Sequence, residues 1–221
     1  MVLAPALGTT VVAQEGPSTT LTGATITAEA GQGTTTVEAT YRIKVSGSGT
    51  LSNVKGQLWK FSGREINQDS IETSVNGESV QPDVTDNGRY LTVSVPVDGI
   101  QAGETVTLEV SYTVSEPSDR LRTPIFVPDA PTEGQNEVVE ITLRLPSDQT
   151  PQGDVFPKAT SVDGNVVNFD LLHVPGSIVV STSGGLPLQS FAAIAGILIV
   201  LAFVGYWYRY ERTGLEQPGG V

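Results

Sequence analysis

The chain contains no cysteine, one histidine (His173) and one methionine, at its first position. Without thiols there is neither a disulfide framework nor a thiolate metal site, so a folded domain must be held by its apolar core alone. A lone histidine excludes a multi-histidine metal centre and most acid–base dyads. Also missing are a G-x-S-x-G nucleophile elbow, a P-loop, the dinucleotide fingerprint G-x-G-x-x-G and any N-x-S/T glycosylation acceptor. No catalytic residue and no cofactor is implied. Basic residues are scarce: 12 Lys and Arg stand against 24 Asp and Glu, for a net charge of −12, and lysine occurs only at Lys44, Lys55, Lys60 and Lys158. Glu211 and Glu216 cancel Arg209 and Arg212 near the C-terminus, so the whole deficit falls earlier in the chain. Such a surface repels nucleic acid and anionic lipid head groups, and halophilic proteins use the same excess to stay soluble in salt.

Charge vanishes altogether from one stretch. Phe191 to Tyr208 reads FAAIAGILIVLAFVGYWY, with no charged residue and no proline. As a helix it spans about 27 Å, close to the roughly 30 Å of a bilayer's hydrocarbon. Leu188 to Ser190 extend it, and Pro187 suits a helix entrance. At the far end Tyr206, Trp207, Tyr208 and Tyr210 form an aromatic belt interleaved with Arg209 and Arg212, whereas no Lys or Arg lies between Lys158 and the helix. The positive-inside rule then predicts one transmembrane helix over 188–208, the N-terminal bulk outside the cell membrane and residues 209–221 as a cytoplasmic tail. The bilayer is thus the first expected partner. Ala192 and Gly196 make a small-xxx-small face that suits a homodimer. At the other end, residues 1–13 carry an apolar stretch and a Val11-x-Ala13 pattern suited to signal peptidase, but no basic n-region. They read as an export signal whose start lies upstream of Met1.

Between these ends apolar residues recur every second position. Val37, Ala39, Tyr41, Ile43 and Val45 form one such run; others are Leu91–Val95, Val106–Val114 and Val139–Leu145. Weaker runs cover 21–28, 52–61, 71–75, 166–171 and 177–182. Turn residues separate them at Ser46–Gly49, Asn76-Gly77, Asp86–Gly88 and Asp163–Asn165. Alternation with one wet face predicts antiparallel sheets, and about nine strands at this spacing predict an all-β, immunoglobulin-like or other antiparallel β-sandwich ectodomain over 14–183. Residues 184–187 link it to the helix. The stretch 116–136, with four prolines and no alternation, reads as a long loop or a join between two subdomains; one sandwich with a long crossing loop is favoured.

The phrases TVEATYRIKV, LSNVKGQLWKF, SVNGESVQP, NGRYLTVSVP and GIQAGETVTLEVSYTV follow one another over residues 24–115. They resemble the sandwich ectodomains that haloarchaea place before a single membrane helix. The strand order and Ala102-Gly103-Glu104-Thr105-Val106-Thr107-Leu108 also resemble the N-terminal β-domain of M1-type aminopeptidases. That family's zinc motif, H-E-x-x-H, is missing here, so the resemblance implies a sandwich fold and no catalysis.

Few residues invite a functional reading. Trp59 lies in a run where Val54 and Leu58 share one face and Trp59 and Phe61 the other. A strand buried on both faces, or a bulge, would make Trp59 core, which the need for large residues inside a sandwich favours. The alternative is a surface aromatic platform for a protein or glycan. Phe126, within Ile125-Phe126-Val127 and between Pro124 and Pro128, is a second candidate contact. Asp83, Asp86, Asn87 and Asp98 supply the oxygens calcium requires but form no calcium loop, so turn carboxylates are the plainer account. His173 reads as structural or solvent-exposed. The expectation is a non-enzymatic extracellular module that binds a protein or surface polymer, with no nucleic acid. A structural accessory subunit of a membrane transporter or enzyme is the alternative, and a hydrolase using scattered Asp/Glu pairs the weakest reading.

Overall fold

The computed structural model of the protein describes residues 16–182 except 118, 119, 133 and 135, and of Asp154 the backbone alone. The signal segment 1–13, the membrane helix with Ala192 and Gly196, and the interface residues Tyr206, Trp207, Tyr208, Arg209, Tyr210 and Arg212 lie outside the described residues. Among the described residues no helix is long and apolar enough to cross a membrane.

Alternation becomes strand where it is strongest. In β1 (Pro17–Ala30), β2 (Thr34–Gly47) and β3 (Thr50–Trp59) every second side chain turns inward over most of the strand. The same holds for β4 (Glu65–Val75), β7 (Tyr90–Gln101) and β8 (Thr105–Ser115). Short strands fill the gaps: β5 (Glu78–Val80), β6 (Asp83–Asp86), β9 (Arg120–Pro124) and β10 (Val127–Pro128). The C-terminal part adds β11 (Val139–Arg144), β12 (Pro151–Phe156), β13 (Ser161–Asp163), β14 (Val166–Leu171) and β15 (Ser177–Thr182). All nine runs read from the sequence coincide with strands.

The strands form an eight-stranded sheet in the order β13-β14-β11-β1-β2-β8-β4-β5, a four-stranded sheet β10-β3-β7-β6 and a three-stranded sheet β12-β15-β9. Val37, Tyr41 and Ile43 from the large sheet, Leu58 and Val93 from the second, and Leu121 and Val180 from the third belong to one buried apolar cluster. This is an all-β, sandwich-like fold. It departs from the expectation of purely antiparallel sheets where β1 and β11 pair in parallel, from Ala24↔Val139 to Glu29↔Arg144. One flank of β1 is taken by its hairpin partner β2. β11 therefore joins the other flank after a long excursion, as parallel pairing requires.

Two turn assignments diverge. Asn76-Gly77 closes the β4–β5 hairpin with both residues at positive φ (52° and 85°), the geometry of a two-residue type I′ turn that Asn-Gly favours. Ser46–Gly49, expected as a hairpin turn, instead carries the chain from the large sheet to the second, since β2 pairs with β1 and β8 whereas β3 pairs with β7 and β10.

The stretch 116–136 is not a bare loop. It holds β9 as an edge strand against β15 and β10 against β3, and prolines are tolerated at strand ends and on edges. Between β9 and β10 it crosses the interior, with Ile125 and Phe126 wholly buried. Phe126 meets Tyr41 edge to face at 5.5 Å between ring centroids. Its ring lies over Gly56 of β3, where a Cβ would overlap the Phe126 ring and stand 2.7 Å from the Val127 carbonyl. Gly56→Ala should therefore destabilise the chain by about 1–3 kcal/mol, and Phe126→Ala by about 3–5 kcal/mol. Urea unfolding measures both, and a Gly56→Ala chain with the parent's midpoint would contradict the packing.

Candidate functional site

A buried loop must find partners for its own peptide groups. Here they come from two tyrosines that the alternation of β2 and β8 turns inward. The Tyr41 hydroxyl donates to the Phe126 carbonyl at 2.6 Å. The Tyr112 hydroxyl donates to the Pro124 carbonyl at 2.8 Å and accepts the Phe126 N–H at 3.2 Å. The Ile125 N–H reaches the Gly176 carbonyl at 3.2 Å. Glu116, also buried, holds the start of β9. Its Oε1 accepts from Thr35 (2.7 Å) and Thr123 (2.6 Å), and its Oε2 accepts the Arg122 N–H at 2.6 Å. That carboxylate is saturated by the fold. None of these roles for Glu116, Tyr41 or Tyr112 is visible from spacing, because each acts on chain distant in sequence.

So fixed, β9 presents alternate residues to opposite sides. Leu121 and Thr123 are buried; Arg120 and Arg122 are exposed. Across the three-stranded sheet Arg122 stands opposite Val179, and Val179 opposite Phe156. Paired residues share a face, so Arg122, Val179 and Phe156 form one outward row, and Phe156 is 63% exposed. The Arg122 guanidinium sits 4.0 Å from the centroid of the Phe61 ring, a cation–π arrangement. Arg64, in the connection between β3 and β4, donates through Nη2 to the Arg120 carbonyl at 2.6 Å and through Nη1 to the Ser62 carbonyl at 3.1 Å. Arg64, Arg120, Arg122, Phe156 and Val179 line a cleft of about 470 Å³.

Trp59 is not core. It is 40% exposed, while Leu58 beside it is fully buried. Val54, Gly56 and Leu58 occupy the inward face of β3 and leave Trp59 outside. Its ring packs against Tyr90, the residue opposite on β7, at 5.6 Å between centroids and 52°, and lies over Gly176, where a Cβ would stand 3.4 Å from it. Phe61 is half-buried beneath Arg122. Phe126, the other candidate contact, is buried at 0% exposure, so its ring serves packing.

The remaining candidates are absorbed by local structure. Asp86 caps its turn, accepting the Gly88 N–H at 2.7 Å and pairing with Lys60 at 2.8 Å. The Lys60 hydrogen bond, with the Gly88 amide, holds its carboxyl below the usual range. Asn87 donates to Thr92 and to the Thr85 carbonyl. Asp83 and Asp98 lie on β6 and β7. Among the described residues no three His, Asp or Glu side chains gather into a set able to hold a metal ion. His173 is exposed, with Nδ1 against the Thr132 hydroxyl. A groove on the outer face of the large sheet is lined by Glu38, Glu72, Glu109 and hydroxyls, with Ser74 donating to Glu109 at 2.6 Å; it reads as a solvated polar face. Trp59→Ala should cost no more than about 1.5 kcal/mol, the scale of one aromatic pair. A loss of about 3–5 kcal/mol in urea unfolding, as for a core ring, would put Trp59 back inside.

No family model matches the chain, and no curated protein matches it. The fold is similar to that of an M1 zinc metallopeptidase E323A mutant from Deinococcus radiodurans, at 13% identity and a TM-score of 0.46, covering 74% of this chain and 42% of that one. It is likewise similar to native leukotriene A4 hydrolase from Saccharomyces cerevisiae, at 9% identity and a TM-score of 0.45, covering 75% of this chain and 29% of that one. The chain spans less than half the length of either enzyme.

Proposed function

We propose that this chain is a membrane-anchored extracellular binding module, tethered by residues 188–208 and performing no catalysis of its own. The observation that supports a binding role most is the placement of Trp59. The core is filled from the opposite face of β3, yet a large aromatic ring is held on the outside against Tyr90 and the Gly176 backbone. Holding an indole half-solvated forgoes part of the roughly 25 cal/mol per Å² that burial would return. Contact with a partner would recover that term, and tryptophan is enriched where interfaces concentrate their energy. The chain's net charge of −12 favours a partner that is neutral or basic over most of its own surface. The apolar run and its arginine flank support the tether and its orientation.

Two measurements on intact cells test this reading. Added protease should remove residues 14–183 and leave a helix-sized fragment; full protection of that segment would overturn the topology. A photo-reactive residue at Gln57, exposed next to Trp59 on β3, should give a discrete cross-linked adduct that Trp59→Ala abolishes. An adduct equally strong in Trp59→Ala, or none at all, would overturn the contact face.

A further inference from the structure

On a chain with a net charge of −12, three of the eight arginines converge on one cleft. Arg120 and Arg122 reach it because they alternate with buried Leu121 and Thr123 along β9. Arg64 reaches it from the other side of the β9 backbone, donating to the Arg120 carbonyl. Among the described residues none of the three makes an ion pair, and Arg64 retains a buried Nε–H with no acceptor. Both terminal nitrogens of Arg64 are spent on carbonyls, which orient the guanidinium without neutralising it. Three like charges in one cleft repel one another. The wall opposite is apolar: exposed Phe156 and half-buried Val179, in register with Arg122 across β15.

We propose that this cleft is a binding site for a single oxyanion — a carboxylate, sulfate or phosphate ester — carried on a ligand with a flat apolar body that lies on Phe156. Guanidinium groups bind such oxyanions through paired, charge-assisted hydrogen bonds, and an aromatic edge in the same row supplies the apolar contact. A polyanion is a poor fit, because beyond the cleft it meets a surface of its own sign. A compact ligand can place its one negative group against the arginines. The site would serve the binding module proposed above; the titration that tests it needs no membrane topology, so either can fail while the other stands.

The full chain in neutral nanodiscs, labelled with 15N at arginine, is titrated at low salt with benzoate, phenyl phosphate, inorganic phosphate and benzyl alcohol. Benzoate or phenyl phosphate should saturably shift the Nε signals of Arg64, Arg120 and Arg122, and which of them binds more tightly separates a carboxylate from a phosphate ester. Benzyl alcohol, which keeps the ring and lacks the charge, should leave the signals in place, and inorganic phosphate should bind more weakly than its phenyl ester. Arg120→Gln should weaken binding roughly tenfold or more, and Phe156→Ser should weaken the aromatic anions while sparing inorganic phosphate. Arg144→Gln, on β11, should change nothing. Non-saturating shifts spread over all arginines would overturn the proposal, as would equal affinity in Arg120→Gln and the parent when the two share one melting curve. Should Arg120→Gln fail to fold, equal affinity of Phe156→Ser and the parent for phenyl phosphate would overturn it alone.

Discussion

The surface of this protein is organised from inside, by the way a buried stretch of irregular backbone satisfies its own peptide groups. Pro124 ends β9, and Ile125 and Phe126 run through the interior between β9 and β10, where no strand neighbour is available to all of their carbonyls and amides. Two tyrosine hydroxyls take that part, one from β2 and one from β8. An orphaned buried carbonyl costs about 1–3 kcal/mol, a large share of the roughly 5–15 kcal/mol that holds a typical domain. Proline at 124 eases the demand by having no N–H to satisfy. The Phe126 ring then fills the space that glycine leaves at position 56.

From this clamp the two exposed features follow. On its N-terminal side β9 is pinned by Glu116 and paired with β15, which sends Arg120 and Arg122 outward beside Phe156. On its C-terminal side β10 pairs with Gly56 and Gln57 of β3, the strand whose outer face carries Trp59. The same segment that closes the core therefore positions both the cationic cleft and the aromatic face. Acid gathers instead on the outer face of the large sheet, where Glu38, Glu72 and Glu109 line a solvated groove.

Period-two alternation made the framework legible, because burial on one face and water on the other is what the pattern encodes. β2, β7, β8 and β11 stand where their alternation predicted, and β14 and β15 have the bounds read for them. β5, β6, β10 and β13 escaped because two to four residues carry too little period to register. The Arg120-Leu121-Arg122-Thr123 alternation was present but lay among prolines, and proline signals loop before it signals an edge strand. Trp59 illustrates the opposite failure. Strand parity places it on the face away from Val54 and Leu58, and the structure follows parity over residue size. Phe126 could not be placed by pattern at all, since its burial depends on Gly56, Tyr41 and Tyr112, none of them near in sequence. The parallel β1–β11 pair, likewise, is decided by the path of the chain and not by either strand's own residues.

The clamp is tested most directly by the ionisation of Tyr41 and Tyr112. Burial pushes both hydroxyls well above the ordinary tyrosine value, and at Tyr41 the neighbouring Tyr112 adds to the shift. A raised folded value means that the neutral form is the one the fold holds, so its contribution to stability is complete below the unfolded pKa of about 10. That contribution is lost progressively as the pH rises beyond it. An alkaline titration of ring-carbon-labelled tyrosine, with signals assigned by Tyr41→Phe and Tyr112→Phe, follows each hydroxyl separately. Tyr41 and Tyr112 should ionise only together with unfolding. Ionisation of either buried hydroxyl near pH 10 in a chain that stays folded would contradict the clamp.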